Sequence, residues 1–337
     1  MVDEKGGQDN LAAALEHRDR ISHIYLHGDY LYHSPLENLV AVMHEPFPVL
    51  TEFSLKSTVK SVLPKTLLGG SAPRLRTCVL SDFSFSSFPK FILSATHIVS
   101  LGLFNFPNSR HISPEMMVRS LATLPNLKSL SLSIIRVESP HSPTLGILPQ
   151  PPPKRTVFPA LTYLYFGVSE YTGDIVARID TPLLNELILA WDPVFKLSGP
   201  RLHPFIDHAQ KFRPFNLAIL LFRSEMVGLN LGSPTRFTVD FRCEWPALQF
   251  SSMTQILSQQ LPDLFQVERL WICDSQEYPK PIDALYFMNT PQCLELLHLF
   301  GALQSLYVSK GRVPLIAAAL RELTNGRVME VINTYVA

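Results

Sequence analysis

Cysteine is scarce and unpatterned in this chain. Its 337 residues hold four, Cys78, Cys243, Cys273 and Cys293, with no paired spacing among them. That excludes a disulfide framework and reads as free thiols in a reducing compartment, cytoplasm or nucleus. Charge is scarce as well: charged residues make up 17% of the chain, against a usual ~25%. With 29 basic and 29 acidic residues the formal net charge is zero. A chain with no basic excess lacks the electrostatic footprint of a dedicated nucleic-acid binder. Long apolar runs are missing too. The best, "CLELLHLFGALQSLYV", is broken by His298, Gly301, Gln304 and Ser305 and is too short and polar to span a bilayer. The opening "MVDEKGGQDN" is acidic and polar, unlike a signal peptide.

Catalytic signatures are equally absent. The sequence has no glycine-rich phosphate cradle, no serine in a nucleophile elbow and no zinc-protease helix. His203 and His208 stand five apart, the wrong spacing for two ligands on one helix face. His23 and His27 stand four apart. On a strand that separates them by ~13 Å, too far to share an ion. The carboxylates are dispersed, with no pair placed to drive its pKa values apart. Nothing calls for a metal or a cofactor, and the expectation is a protein that is not an enzyme.

What the chain does have is leucine in a recurring pattern. In "PNLKSLSLS", Leu127, Leu130 and Leu132 step by three and then by two. The step of two puts Leu130 and Leu132 on one face of a short strand, and the step of three brings Leu127 in from a bend before it. The same spacing returns in nine further triplets: Ile21/Ile24/Leu26, Leu50/Phe53/Leu55, Leu75/Cys78/Leu80, Ile98/Leu101/Leu103, Leu161/Leu164/Phe166, Leu184/Leu187/Leu189, Leu217/Leu220/Phe222, Val267/Leu270/Ile272 and Leu303/Leu306/Val308. In five of the ten a proline precedes the first anchor by two: Pro48, Pro73, Pro125, Pro159 and Pro182. Spacing between units is uneven but centres on the ~20–29-residue period of a leucine-rich repeat. The expected fold is therefore an α/β leucine-rich repeat solenoid with irregular repeats. A curved parallel sheet lines its concave side, and helices and loops cover the convex side. The alternative is an ordinary α/β domain with leucine-rich strands.

Helix signals fall between the anchors. Ser34, Pro35 and Glu37 form a capping pattern, Ser113, Pro114 and Glu115 repeat the arrangement, and Thr290 with Pro291 does so again. Pro314 near the start and Gly326 past the end bracket another helix. The predicted organisation is a frayed lead over 1–12 and a repeat array over 13–337. A proline-rich loop at 138–158 interrupts the array. Residues 223–262 fit least well: Phe237, Val239 and Phe241 alternate as in a strand, and 251–261 could follow as a helix, but no register is assigned.

If the anchors point inward, the residues between them point out along the open face. That face would carry the serines of Ser129/Ser131/Ser133 and, at other repeats, Tyr25, Tyr163, Tyr165, Glu186, Arg269, Trp271 and Tyr307. Tyrosine, tryptophan and arginine dominate binding hot spots, so these seven are the candidate protein-binding residues. Against this, aromatics on any sheet can simply pack sideways on their neighbours. A second candidate is "PQPPPK", where Pro149, Pro152 and Lys154 match the polyproline pattern read by SH3 domains; a stiff spacer would look the same.

Two segments, "AALEHRDRISHIYL" (13–26) and "ALQSLYVSKGRVPLIAAALREL" (302–323), together with the Pro-x-Leu-x-x-Leu-x-Leu anchors between them, resemble fungal F-box proteins with leucine-rich repeats. The resemblance implies the substrate-recognition part of a Skp–cullin–F-box ubiquitin ligase receptor, a family with no catalytic residue to carry over. The F-box itself is not in this sequence, so the Skp adaptor is expected as a partner only if an F-box is encoded upstream. The expected partner is a protein target on the concave face, with no nucleic acid and no membrane. A free-standing scaffold or inhibitor with no ubiquitin link, and an enzyme with a diffuse site, are the alternatives.

Overall fold

The computed structural model describes residues 13, 17–28, 43–84, 87–107, 112–135, 155–191, 214–223, 226–232, 236–242, 254, 257–258, 261–274, 289–323 and 330–332. They fall in two compact units, residues 1–184 and 185–337.

In the first unit the strands are β1 (His23–Gly28), β2 (Glu52–Val62), β3 (Thr77–Ser84), β4 (Ser100–Pro107), β5 (Ser129–Ile135), β6 (Thr156–Val157), β7 (Tyr163–Gly167) and β8 (Ile179–Asp180). The helices are α1 (Phe88–Ser94), α2 (Pro114–Leu121) and α3 (Glu170–Val176). Strands β1, β2, β3, β4, β5 and β7 pair in that order, every pair parallel. The short β6 and β8 pair with each other, also parallel.

Pairing aligns the anchors in two rows. Ile24, Phe53, Cys78, Leu101, Leu130 and Leu164 face one another across the sheet, and Leu26, Leu55, Leu80, Leu103, Leu132 and Phe166 form the second row. All but Leu26 are buried, Leu130 completely so.

The step of three has a specific cause. The first anchor donates its N–H to the carbonyl three residues earlier: Leu50 to Phe47, Leu75 to Ala72, Leu127 to Leu124, Leu161 to Phe158 and Leu184 to Thr181. Each is a β-turn whose second position is the recurrent proline, the place where a fixed φ near −65° suits the turn. Ile98 closes the same turn on Ala95 without proline. The residue opening the turn is itself buried at all six sites. It is a fourth core position of the repeat, one the leucine spacing does not reveal. Beyond the turn, Arg76 and Thr77 share the carbonyl of Thr51, Val99 and Ser100 that of Arg76, and Lys128 and Ser129 that of Val99. The connections are thus stitched to one another as the strands are.

Helix α2 starts as its sequence predicts. Ser113 Oγ accepts from the Met116 N–H at 3.1 Å, Pro114 is the first helical residue, and Glu115 pairs with Arg119 at 2.7 Å. Ser169 and Thr172 cap α3 reciprocally, and the buried Tyr171 hydroxyl donates to the Ile112 carbonyl at 2.9 Å.

The second unit holds β9 (Glu186–Trp191), β10 (Leu217–Arg223), β11 (Met226–Leu231), β12 (Arg236–Arg242), β13 (Arg269–Asp274), β14 (Ser305–Val308) and β15 (Glu330–Ile332), with α4 (Thr290–His298) and α5 (Val313–Leu323). It departs from the parallel sheet expected. Spatial order runs β9, β12, β11, β10, β13, β14, β15, and β11 is antiparallel to both neighbours. Two residues, 224–225, join β10 to β11, and a link that short can join only antiparallel strands. The three strands form a meander in place of a single strand, and this is the register missing from 223–262. Phe237, Val239 and Phe241 are buried on β12, as their alternation suggests. Of 251–261 only Thr254, Leu257, Ser258 and Leu261 are described.

Two assignments move. The triplet at β10 is Phe215, Ala218 and Leu220, because Ala218 and Leu220 pair with Leu270 and Ile272 of β13; Leu217 lies half-buried on the opposite face. The cap of α4 is Asn289, not Thr290: Asn289 Oδ1 accepts from the Gln292 N–H and Gln292 Oε1 from the Asn289 N–H, both at 3.0 Å. A cap needs its reciprocal partner three residues on, and Gln292 serves Asn289. The candidate caps at 34–37, Gly326, the lead 1–12 and residues 136–154 lie outside the described residues.

Candidate functional site

In each unit one face of the sheet is filled by anchors and the other carries the residues between them. On the first unit, Glu52, Thr77, Val79, Ser100, Phe104, Ser129, Ser131, Tyr163 and Tyr165 are all half-buried at open-face positions. Tyr163 pairs with Ser129 and Tyr165 with Ser131, so the two tyrosines border a lane of small side chains. Gly102 keeps that lane shallow: a Cβ there would lie 2.9 Å from the Phe104 ring. Phe104 in turn meets Tyr165 with ring centroids 5.8 Å apart at 60°. The sideways packing of aromatics is therefore real at Tyr165, and the ring still keeps an exposed edge.

Tyr25 stands apart from this pair. It is 58% exposed on β1, five strands from β7, or ~24 Å at sheet spacing. Its hydroxyl donates to Glu52 Oε2, which together with the nearby charge lifts its pKa above the ordinary tyrosine value. His23 stacks on its ring at 6.4 Å and places Nε2 3.7 Å from Glu52 Oε1.

On the second unit the predicted residues divide. Trp271 and Tyr307 are direct cross-strand partners on β13 and β14, with ring centroids 4.9 Å apart, and Arg269 lies two residues along β13. Glu186 is on β9, four strands from β13 because the meander intervenes. Its register partner is Arg236. The structure thus gathers Arg269, Trp271 and Tyr307 and leaves Glu186 remote. Half-buried Ile219 and Leu221 on β10 extend the apolar patch, Ile219 facing Trp271 and Leu221 facing Cys273.

The meander contributes open-face residues that leucine spacing missed: Met226, Gly228, Asn230, Thr238 and Asp240. Thr238 Oγ1 donates to Asn230 Oδ1 at 2.6 Å. Gly228 has no side chain to obstruct Asp240, whose Oδ1 would lie 2.9 Å from a Cβ there. Burial raises the Asp240 pKa, and the charge of Arg223 works against that rise. No hairpin signal marks them in the sequence: the residues joining β10 to β11 are Ser224 and Glu225 in place of a glycine-containing pair, and β10 does not alternate.

No protein-family model matches the chain, and no curated protein matches its sequence. Among solved structures, an internalin from Listeria monocytogenes aligns over 98% of this chain and 94% of its own. Identity is 10% and the TM-score 0.32. A likeness that weak carries no weight for fold or function.

Pro149, Pro152 and Lys154 lie outside the described residues. Among the described residues no three His, Cys, Asp or Glu side chains are grouped to hold a metal ion, and no helix is long and apolar enough to cross a membrane. Cys78 and Cys293 are buried thiols, with Cys78 raised to about 12 by burial.

Proposed function

We propose that this is a non-enzymatic, protein-binding leucine-rich repeat protein that uses the open face of its sheets. The observation behind the reading is the Trp271–Tyr307 pair. Two large aromatics sit side by side, half-exposed, on the face that the buried anchors leave free. An aromatic pair of this kind, flanked by an arginine, is the usual nucleus of a protein–protein hot spot. Tyr163 and Tyr165 offer a second aromatic platform on the first unit. The resemblance to F-box proteins with leucine-rich repeats supports the finer reading, the target-recognition part of a ubiquitin ligase receptor acting in cytoplasm or nucleus.

The test is affinity capture from cells with tagged protein and with a Tyr163→Ala/Trp271→Ala variant. Both sites lie outside the buried rows, so the variant is expected to keep the wild-type circular dichroism spectrum and lose its captured proteins. Unchanged capture removes the case for these residues. Skp and cullin subunits accompanying the full-length gene product support the ligase role, and captured targets without them support a free-standing scaffold or inhibitor. Turnover in a substrate panel that survives both substitutions would instead indicate an enzyme.

A further inference from the structure

The open face of the second unit has an asymmetry that narrows the chemistry of its partner. Along β10, β13 and β14 its available polar groups are almost all donors. Arg269 and Arg223 are exposed and form no ion pair among the described residues, although the charge of Arg223 reaches Asp240 on the same face. The Trp271 indole N–H and the Tyr307 hydroxyl, likewise, have no hydrogen-bond partner among them. Guanidinium and indole can only donate. Between these donors lie the half-buried side chains of Ile219 and Leu221. A surface of donors around an apolar centre is complementary to an apolar side chain flanked by carboxylates.

We propose that this face binds an extended, acidic polypeptide segment of a partner protein, seating one apolar side chain on Trp271 and Tyr307 and directing carboxylates to Arg269 and Arg223. The inference rests on the protein-binding reading above and specifies its ligand. Register sets the scale. Arg269 pairs with Leu217, six residues from Arg223 on β10. At ~3.3 Å per residue the two guanidinium-bearing positions are ~20 Å apart, matching acidic residues about six apart in an extended peptide. The other edge of the sheet sets a boundary. Glu186 on β9 and Asp240 on β12 are open-face carboxylates. They bound the strip on its β9 side and disfavour a long polyanion laid across the sheet, so a short acidic peptide fits better than a nucleic-acid strand.

The probe is a fluorescein-labelled nine-residue peptide of serine and threonine with two aspartates six apart and a leucine two residues from one of them, so that all three side chains share one face of the extended chain. It is compared by anisotropy with its asparagine counterpart, with a counterpart carrying alanine for the leucine and with octa-uridylate, using the full chain. The expected result is about tenfold tighter binding of the aspartate peptide than of the asparagine one, an advantage that shrinks between ~50 and ~300 mM salt. Arg269→Gln and, separately, Arg223→Gln reduce that advantage, and Trp271→Ala weakens both peptides alike. Equal affinity for the aspartate and asparagine peptides, indifference to Arg269→Gln in a folded variant, or tighter binding of octa-uridylate overturns the proposal. If the peptides fail while cellular capture still depends on Trp271, acid recognition falls and the protein-binding reading stands.

Discussion

Arg312 is 3% exposed yet charged, and its surroundings make a sharp prediction. Its Nε and Nη2 meet Asp274 Oδ1 at 2.7 and 2.6 Å, and its guanidinium carbon lies 3.7 Å from the Phe222 ring centroid. Ser309 Oγ donates to the other Asp274 oxygen at 2.6 Å. Its Nη1 is buried with no hydrogen-bond partner among the described residues. Asp274→Asn keeps the shape but leaves a desolvated cation without its counter-charge. Breaking a buried pair in this way costs about 3–5 kcal/mol. Asp274 is 39% exposed, so water recovers part of that, and about 2–4 kcal/mol is expected. Arg312→Met should behave differently. It retains an apolar stem over Phe222 and removes both the desolvated charge and the unpaired N–H, which alone costs about 1–3 kcal/mol. It should therefore lie within about 1 kcal/mol of the natural protein, and adding it to Asp274→Asn should restore most of the lost stability. The assay is urea unfolding followed by tryptophan fluorescence. Residues 191, 245 and 271, the three tryptophans, all fall in the second unit, so the signal reports that unit. With an m-value of about 2 kcal/mol/M, Asp274→Asn should lower the midpoint by about 1–2 M. A midpoint unmoved by Asp274→Asn, or an Arg312→Met variant just as unstable, would refute the reasoning.

Two further predictions concern the first unit. Cys78 is fully buried, and burial pushes its thiol from 9.0 up to about 12. The unfolded chain gives up this proton near pH 9 while the folded chain holds it. Stability is therefore intact below pH 9 and should fall by about 1.4 kcal/mol per pH unit above it, until pH approaches 12. Denaturant melts across that window in wild type and Cys78→Ala check this: the variant is less stable below pH 9, its slope is shallower by one proton, and its deficit shrinks as pH rises. Equal slopes would contradict the assigned burial. At the turn of residues 67–70, Gly69 and Gly70 both have positive φ, +67° and +72°. A Cβ on Gly69 would lie 2.6 Å from the Pro46 backbone nitrogen, whereas one on Gly70 meets nothing within 4 Å. Gly70→Ala should cost about 1–2 kcal/mol of left-handed strain, and Gly69→Ala that plus about 1–3 kcal/mol of overpacking. Thermal melts of the pair would expose an error if the two losses were equal.

The first unit was legible because its information is local. Proline two before the anchor builds the turn, the step of three follows from that turn, and the step of two sets Leu130 and Leu132 on the buried face. Consecutive repeats then pair in chain order, so the neighbours of Tyr163 could be read along the sequence. The buried residue that opens each turn escaped notice because it is Phe, Ala, Leu or Thr from repeat to repeat. At β10 both faces are apolar, with Leu217, Ile219 and Leu221 on one and Ala218, Leu220 and Phe222 on the other. There the leucine spacing admits more than one register, and pairing with β13 decides it.

By itself, then, the sequence determined which residues turn inward within each repeat, because turn chemistry and side-chain alternation act over a few residues. Only the tertiary structure decided which strands become neighbours in the second unit. Whether β9 pairs with β10 or with β12 depends on contacts more than forty residues apart along the chain. That choice inserts the antiparallel strand, removes Glu186 from the aromatic pair, and sets Asp240 and Arg223 on the same face, none of which any local pattern can specify.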